Sequence, residues 1–124
     1  MKTISITAGK VSLRAELNEG PTAEKIWEAL PIEAKANTWG DEIYFGIPVR
    51  AEEEPGAKED VEVGQLGYWP PGNAFCIFFG PTPASSGGTP RAAGPVNLLG
   101  RVLGDAKELR KVRDGETVRL ECVE

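Results

Sequence analysis

The sequence predicts a mostly β fold, a closed eight-stranded barrel with two short helices capping its ends, formed by a single domain over residues 1–124. Three observations predict it. About eight apolar segments have the length of a strand, the 15 Gly and 10 Pro lie mostly between these segments, and no linker separates two cores. A chain of 124 residues is long enough to bury one core. Closure would also remove exposed sheet edges, which invite aggregation.

The first half of the chain predicts two β-hairpins, because apolar and polar residues alternate with a period of two. Residues 4–6 and 11–17 alternate in this way on the two sides of a short turn. Residues 32–38 and 43–49 do the same around Trp39-Gly40-Asp41. These two hairpins supply four of the eight predicted strands.

Between the hairpins, the apolar residues of segment 22–30 fall at helical spacing. Thr22 is the predicted N-cap, and Pro31 follows the last turn. A helix of about two turns is not stable alone, so we expect its apolar face to pack on a barrel end. Residues 51–60 are rich in acidic side chains and include Pro and Gly, which predicts a solvated loop.

The second half of the chain predicts four more strands, at residues 61–69, 74–79, 96–103 and 118–122. The run at 74–79 is apolar without a break, which indicates a central strand buried on both faces. A capping box at the start of segment 105–112 predicts the second short helix.

Residues 81–94 predict a long connection. This segment is rich in Pro, Gly and Ser and shows no periodicity. At about 14 residues it exceeds the usual length of a connection, and such loops are either functional or mobile.

The composition excludes several classes of function. The chain has no histidine, which excludes Ser–His–Asp and Cys–His catalysis and histidine-bound zinc. A net charge of −5 argues against nucleic acid and anionic membranes as partners. Cys76 and Cys122 lack the close spacing of a metal site, so we expect no metal, no cofactor and two thiols packed as core residues.

The first residues alternate apolar with hydroxyl side chains and lack the continuous apolar run of a signal peptide, so we expect a cytoplasmic protein. The adjacent acidic pair Asp41-Glu42 is flanked by aromatic residues. Paired carboxylates can serve acid/base chemistry when burial separates their pKa values. Neighbouring residues point in different directions, however, which favours a turn-forming Asp41 and an exposed Glu42.

Aromatic side chains are the best indication of a binding site, since eight of the nine lie between residues 39 and 79. Alternation places Tyr44 and Phe45 on opposite faces of a strand, and Tyr68 and Trp69 likewise, so some rings must face outward. These rings either complete the core or edge an apolar groove on the barrel wall beside the 81–94 loop. The candidate ligand-binding residues are Trp39, Tyr44, Phe45, Tyr68, Trp69, Phe78, Thr82 and Arg91.

Three runs of sequence resemble a known family. They are TAEKIWEALP at 22–31, WGDEIYF at 39–45 and YWPPGNAFCIFFGPTP at 68–83. Together they resemble small prokaryotic cyclophilin-like proteins of unassigned function, over nearly the whole chain. The resemblance implies a cyclophilin-like barrel of eight strands with helices over its ends.

True cyclophilins, which are peptidyl-prolyl isomerases, are similar in a fainter way. Their catalytic strand carries an Arg before an Ile-Pro pair, and this chain has Ile47-Pro48 with Phe45 at the position of that Arg. The family's groove histidine falls at Val96. Because Phe cannot donate a hydrogen bond to the prolyl nitrogen, the resemblance implies the groove without the usual isomerase chemistry.

Three functions follow as hypotheses. The first is a protein that binds a peptide or small metabolite in the groove without catalysis. The second is a divergent isomerase in which Arg91 or Arg101 replaces the missing Arg. The third, by analogy of fold, is a subunit or relative of an amide-cleaving, oxoprolinase-like complex.

Overall fold

The computed structural model describes residues 1–123. Within this part of the chain, the structure contains ten β-strands, one α-helix and two 3₁₀ helices. In chain order they are β1 (Lys2–Ala8), β2 (Val11–Leu17), α1 (Pro21–Ala29), β3 (Ile32–Lys35), β4 (Asn37–Thr38), β5 (Glu42–Gly46), β6 (Lys58–Asp60), β7 (Gln65–Trp69), a 3₁₀ helix (Pro70–Gly72), β8 (Ala74–Phe78), β9 (Arg91–Leu103), a 3₁₀ helix (Ala106–Lys111) and β10 (Thr117–Val123).

The strands form one antiparallel sheet in the order β3-β10-β1-β2-β9-β7-β8-β5-β4, with β6 added alongside β9. The sheet is open, because no ladder of hydrogen bonds joins its edge strands β3 and β4 within residues 1–123. The prediction of a closed eight-stranded barrel is therefore wrong in closure and in strand number. The mostly β character and the short helices agree with the sequence analysis.

The sheet stays open because of segment 32–38, which was predicted as one strand. It changes partner at Ala36, where β3 ends its pairing with β10 and β4 begins to pair with β5. The Ala36 backbone bonds the turn before β10 instead, donating to the Glu116 carbonyl at 2.8 Å and accepting from the Gly115 amide at 2.8 Å. The two sheet edges are thus consecutive pieces of one covalent segment. Splitting this segment and adding β6 raises eight strands to ten.

The main core lies on the inner face of the sheet. It contains the inward residues of β1, β2, β5, β7, β8 and β10, and α1 covers it with Ala23 and Ile26. The N-cap of α1 is Gly20 rather than the predicted Thr22, and Pro21 occupies the first helical position. Proline suits that position because its missing N–H has no partner there in any helix.

Thr22 instead belongs to a polar cluster that fixes the acidic segment 51–60. The Glu54 carboxylate accepts hydrogen bonds from the Thr22 backbone amide, at 3.2 Å, and from its hydroxyl. Buried Asn97 accepts from the Glu54 amide at 2.8 Å and donates to the Glu52 carbonyl at 2.9 Å. The predicted solvated loop is therefore tied to the core at its centre, and β6 forms at its end.

β9 begins five residues earlier than predicted. Its first half, residues 91–96, pairs only with β6, and its second half pairs with β7 and β2. The predicted 81–94 loop is thus shorter, and the first half of β9 lies across the outer face of the sheet. There Ala92 and Val96 join Val61 and the outward residues of β8 in a second apolar cluster.

This second cluster explains why β8 is buried on both faces, as predicted. Cys76 lies within it as a buried thiol, whereas Cys122 is exposed on β10, which contradicts the prediction that both cysteines are core residues. Asp105 caps the second 3₁₀ helix by accepting from the Lys107 amide at 3.0 Å, which agrees with its predicted role as N-cap. The reciprocal bond of the predicted capping box is not observed within residues 1–123, and the Glu108 carboxylate accepts from the Lys111 ammonium at 2.8 Å.

Candidate functional site

A pocket of about 210 Å³ lies on the outer face of the sheet. One wall is the first half of β9, and the other walls come from β5, β7, β8 and the turn between β4 and β5. It is mainly apolar, and its lining residues are Trp39, Glu42, Tyr44, Trp69, Cys76, Ala92, Ala93 and Val96.

Strand alternation brings these side chains together. On β5, Glu42 and Tyr44 face outward, whereas Ile43 and Phe45 face the main core. Tyr44 pairs with Cys76 of β8 across the ladder, so the phenol ring and the thiol lie side by side on the outer face. The predicted split of Tyr44 and Phe45 to opposite faces is confirmed.

The indole of Trp69 lies close to two glycines. A Cβ atom placed on Gly72 would be 3.0 Å from Cε3 of the indole, and one placed on Gly94 would be 3.0 Å from Nε1. Because neither glycine carries a side chain, the ring can lie close to the backbone on both sides. These contacts restrict the ring, which forms one wall of the pocket.

Trp39 begins the tight turn between β4 and β5. Its backbone amide donates to the Glu42 carbonyl at 2.9 Å, and Gly40 adopts a φ of 60°. That left-handed conformation is readily available to glycine and rare for other residues. Trp39 and Glu42, the two residues joined by this backbone hydrogen bond, both line the pocket.

Glu42 is the polar side chain of greatest interest in the pocket. It is 5% exposed, and its Oε1 atom has no hydrogen-bond partner within the described residues. Burial raises the pKa of Glu42 from 4.5 to about 7, and the contact with the Cys76 thiol offsets only part of this rise. The prediction of an exposed Glu42 is therefore wrong.

The neighbouring Asp41 has a different environment. Its carboxylate forms an ion pair with Arg110 at 2.9 Å and does not line the pocket. Burial raises the pKa of the Cys76 thiol well above its usual value, and the nearby Glu42 carboxylate raises it further. Because only a thiolate is a good nucleophile, Cys76 is unsuited to covalent catalysis.

The structure brings three of the candidate residues, Trp39, Tyr44 and Trp69, to the pocket. Phe45 and Tyr68 lie in the main core instead. The Phe45 ring stacks on Phe75 with 5.4 Å between ring centroids, and the Tyr68 hydroxyl donates to the Val49 carbonyl at 2.7 Å.

The remaining three candidates lie near the pocket but do not line it. Phe78 is fully buried in the second apolar cluster. Thr82 is buried, and its hydroxyl donates to the Arg91 carbonyl. The Arg91 guanidinium forms ion pairs with Glu59 at 2.9 Å and Asp60 at 3.6 Å, which hold the start of β9 against β6.

Sequence reasoning missed five lining residues. Glu42 lies two residues before Tyr44, so alternation alone would have placed both on one face. Cys76 was recognised as buried but not as part of a pocket. No signal marked Ala92 or Ala93, because the first half of β9 pairs only with a three-residue strand in an acidic, charged segment. Val96 was recognised as the position of the groove histidine but was not among the candidate ligand-binding residues.

The positions that matter for isomerase chemistry can also be located. Phe45, at the position of the missing Arg, points into the main core and presents no group to the outer face. Val96, at the position of the groove histidine, forms part of the pocket wall. Neither Arg91 nor Arg101 is among the residues that line the pocket.

With this geometry established, comparison with known proteins identifies the class. The chain belongs to the cyclophilin-like family, whose model, described as Cyclophilin-like, matches residues 2–121. This confirms the resemblance found in the sequence. Within residues 1–123, no helix has the length and apolar character needed to cross a membrane.

Two solved structures are similar to this chain. The hypothetical protein AF2241 from Archaeoglobus fulgidus is 41% identical, with a TM-score of 0.83, and the match covers 98% of this chain and 95% of that one. McbB, solved in complex with tryptophan, is 16% identical with a TM-score of 0.71, and the match covers 96% of this chain and 44% of that one. The second likeness shows the fold alone. A comparison with curated proteins found no match.

Proposed function

We propose that this protein binds a small ligand in the outer pocket and holds it without covalent chemistry. One observation carries the proposal. Trp39, Tyr44 and Trp69 converge on a pocket whose buried carboxyl group, on Glu42, has an oxygen without a partner. Binding sites for small molecules typically combine apolar and aromatic walls with a small number of placed polar groups.

The size of the pocket favours a small molecule, or one end of a larger one, over an extended peptide. A volume of about 210 Å³ is the space of roughly seven water molecules in the liquid. Pockets for drug-sized ligands are larger, roughly 300–1,000 Å³. Of the two predicted kinds of partner, the volume therefore favours a small metabolite, or the compact end group of a larger molecule, over an extended peptide.

The composition of the pocket favours binding over prolyl isomerisation. Isomerisation requires a donor that stabilises the twisted amide in the transition state. No lysine or arginine is among the residues that line the pocket within the described chain. The pocket therefore lacks a cationic donor of the kind that the missing Arg supplies in cyclophilins.

Tryptophan fluorescence provides the test. The chain has three tryptophans. Trp39 and Trp69 line the pocket, whereas Trp27 belongs to α1 and packs against the main core. The Trp27→Phe variant leaves only the two pocket indoles as reporters. A library of fragments with about six to ten heavy atoms is screened against this variant, and hits are then measured with the unaltered protein by thermal shift.

We expect hits that change the fluorescence of Trp27→Phe and that bind Trp69→Ala much more weakly. A ligand at 100 times its Kd should stabilise the protein by about 2.7 kcal/mol, which corresponds to roughly 10 °C in Tm for a domain of this size. Trp27→Ala is the matched control, since it removes an indole that does not line the pocket. Hits that bind Trp69→Ala as tightly as the unaltered protein, or no hits at all, would contradict the proposed function.

A further inference from the structure

We infer that the ligand of the outer pocket carries an alkylated ammonium group, which Trp39, Tyr44 and Trp69 surround and which Glu42 neutralises. This inference rests on the proposed function and gives its ligand a chemical class. It starts from the buried carboxyl of Glu42, because a polar group with an empty hydrogen-bonding position inside an apolar pocket is unusual in a folded protein.

The charge of the pocket selects among ligands. No lysine or arginine is among its lining residues in the described chain, and the titratable side chains there are Glu42, Tyr44 and Cys76. An anionic ligand would therefore face a carboxylate with no compensating charge. Above pH 7, where the Glu42 carboxyl is mostly ionised, a neutral ligand would leave this carboxylate unpaired. A cation is the ligand that removes the cost of burying this charge.

The aromatic walls point to the same class. Tryptophan and tyrosine attract cations to the faces of their rings, and cages of such rings are a recurring way to bind quaternary ammonium ligands. Two indoles and one phenol line this pocket. The attraction is greatest when the cation is desolvated, as in a mainly apolar site.

The scarcity of hydrogen-bond acceptors selects the type of ammonium. A primary ammonium carries three N–H donors, and each of them needs an acceptor when it leaves water. The pocket is mainly apolar, and its lining side chains offer two oxygen-bearing groups, the Glu42 carboxyl and the Tyr44 hydroxyl. A quaternary ammonium has no N–H donor, and a tertiary ammonium has one, which the Glu42 carboxylate can accept. The geometry therefore favours tertiary and quaternary ammonium groups over primary amines.

A pair of isosteric probes tests this inference directly. Choline and 3,3-dimethylbutan-1-ol have the same shape, and only choline is charged. Calorimetric titration at pH 8, where the Glu42 carboxyl is mostly ionised, should give choline at least about tenfold tighter binding than the alcohol. Ethanolamine, a primary amine, should bind more weakly than choline.

Two matched variants identify the residue responsible. Glu42→Gln keeps the shape of the side chain and removes its charge, and it should reduce the preference for choline over the alcohol to about threefold or less, the part supplied by the rings alone. Glu28→Gln makes the same change on the exposed face of α1 and should keep the full preference.

The outcomes separate the two proposals. Equal binding of choline and the alcohol, or tighter binding of the alcohol, overturns the inference and leaves the proposed function standing. Binding of neither probe also overturns the inference, and the fragment screen then decides the proposed function by itself. A peptide with an internal trimethyllysine is tested beside free trimethyllysine. Tighter binding of the peptide assigns the ammonium to a polypeptide, and equal or weaker binding assigns it to a small molecule.

Discussion

The buried carboxyl of Glu42 should make the stability of the protein depend on pH in a way that one substitution removes. In the folded protein the pKa of Glu42 is raised from 4.5 to about 7. Between these two pH values the folded chain holds a proton that the unfolded chain has lost. Stability therefore falls as the pH rises through this interval, and the contribution of Glu42 is constant below and above it.

The magnitude follows from the two pKa values. Their difference corresponds to about 3 kcal/mol of unfolding free energy, lost between pH 4.5 and about 7. Glu42→Gln carries a neutral side chain of the same shape and lacks this loss. The variant should be close to the unaltered protein in stability near pH 4.5, and about 3 kcal/mol more stable than it at pH 8.

Urea denaturation at intervals from pH 4.5 to 8.5 measures the effect. The informative quantity is the difference in unfolding free energy between the variant and the unaltered protein, because contributions from all other groups cancel in it. Glu28→Gln, on the exposed face of α1, controls for the change in net charge. If the difference in unfolding free energy between Glu42→Gln and the unaltered protein does not change with pH over this range, Glu42 is not a buried carboxyl with a raised pKa.

Three further predictions concern the surroundings of the pocket. Gly67→Ala would place a Cβ atom 2.8 Å from Cγ2 of Val96, so overpacking should cost about 1–3 kcal/mol in urea denaturation. Asn97→Ala removes the partners of two backbone groups in the 51–60 segment and should cost about 2 kcal/mol, with faster hydrogen exchange at the Glu54 amide. Iodoacetamide should modify exposed Cys122 and spare buried Cys76 in the native protein, so mass spectrometry should show one adduct before unfolding and two after it.

Each of these predictions has a control. Gly88→Ala adds the same methyl group where no atom lies within 4 Å, and Asn37→Ala makes the same truncation at an exposed side chain. If Gly67→Ala is as stable as Gly88→Ala, Gly67 and Val96 are not packed as closely as described. If Asn97→Ala is as stable as Asn37→Ala, the polar cluster around Asn97 does not hold the 51–60 segment in place. Two adducts on the native protein would show that Cys76 is accessible.

The positions of the strands could be predicted from the sequence because alternation is a local property. Each of the eight predicted segments overlaps an observed strand, and β8 is buried on both faces as its unbroken apolar run indicated. Closure could not be predicted in the same way. Segment 32–38 alternates throughout, yet it pairs with β10 on one side of Ala36 and with β5 on the other, and pairing partners are a long-range property.

The candidate site was predicted in part for a related reason. Alternation correctly turned Tyr44 outward, and the same argument applied to Glu42 would have found the buried carboxyl. Glu42 was instead expected to be exposed, because it follows a turn-forming Asp41 and adjacent residues point in different directions. That expectation fails because Glu42 is buried on the outer face, in a pocket that it lines together with the first half of β9. The first residues of β9 lie in a segment rich in Pro and Gly, where no strand was predicted.

A carboxyl titration by NMR tests the central claim most directly. Observation of the ¹³Cδ resonance of Glu42, identified by its absence in Glu42→Gln, gives the pKa of this one group without and with choline. We predict a pKa of about 7 in the free protein and a lower value when choline is bound, because a nearby cation stabilises the carboxylate. A Glu42 pKa near 4.5 that choline leaves unchanged would contradict both the buried, unpartnered carboxyl and its role in the pocket.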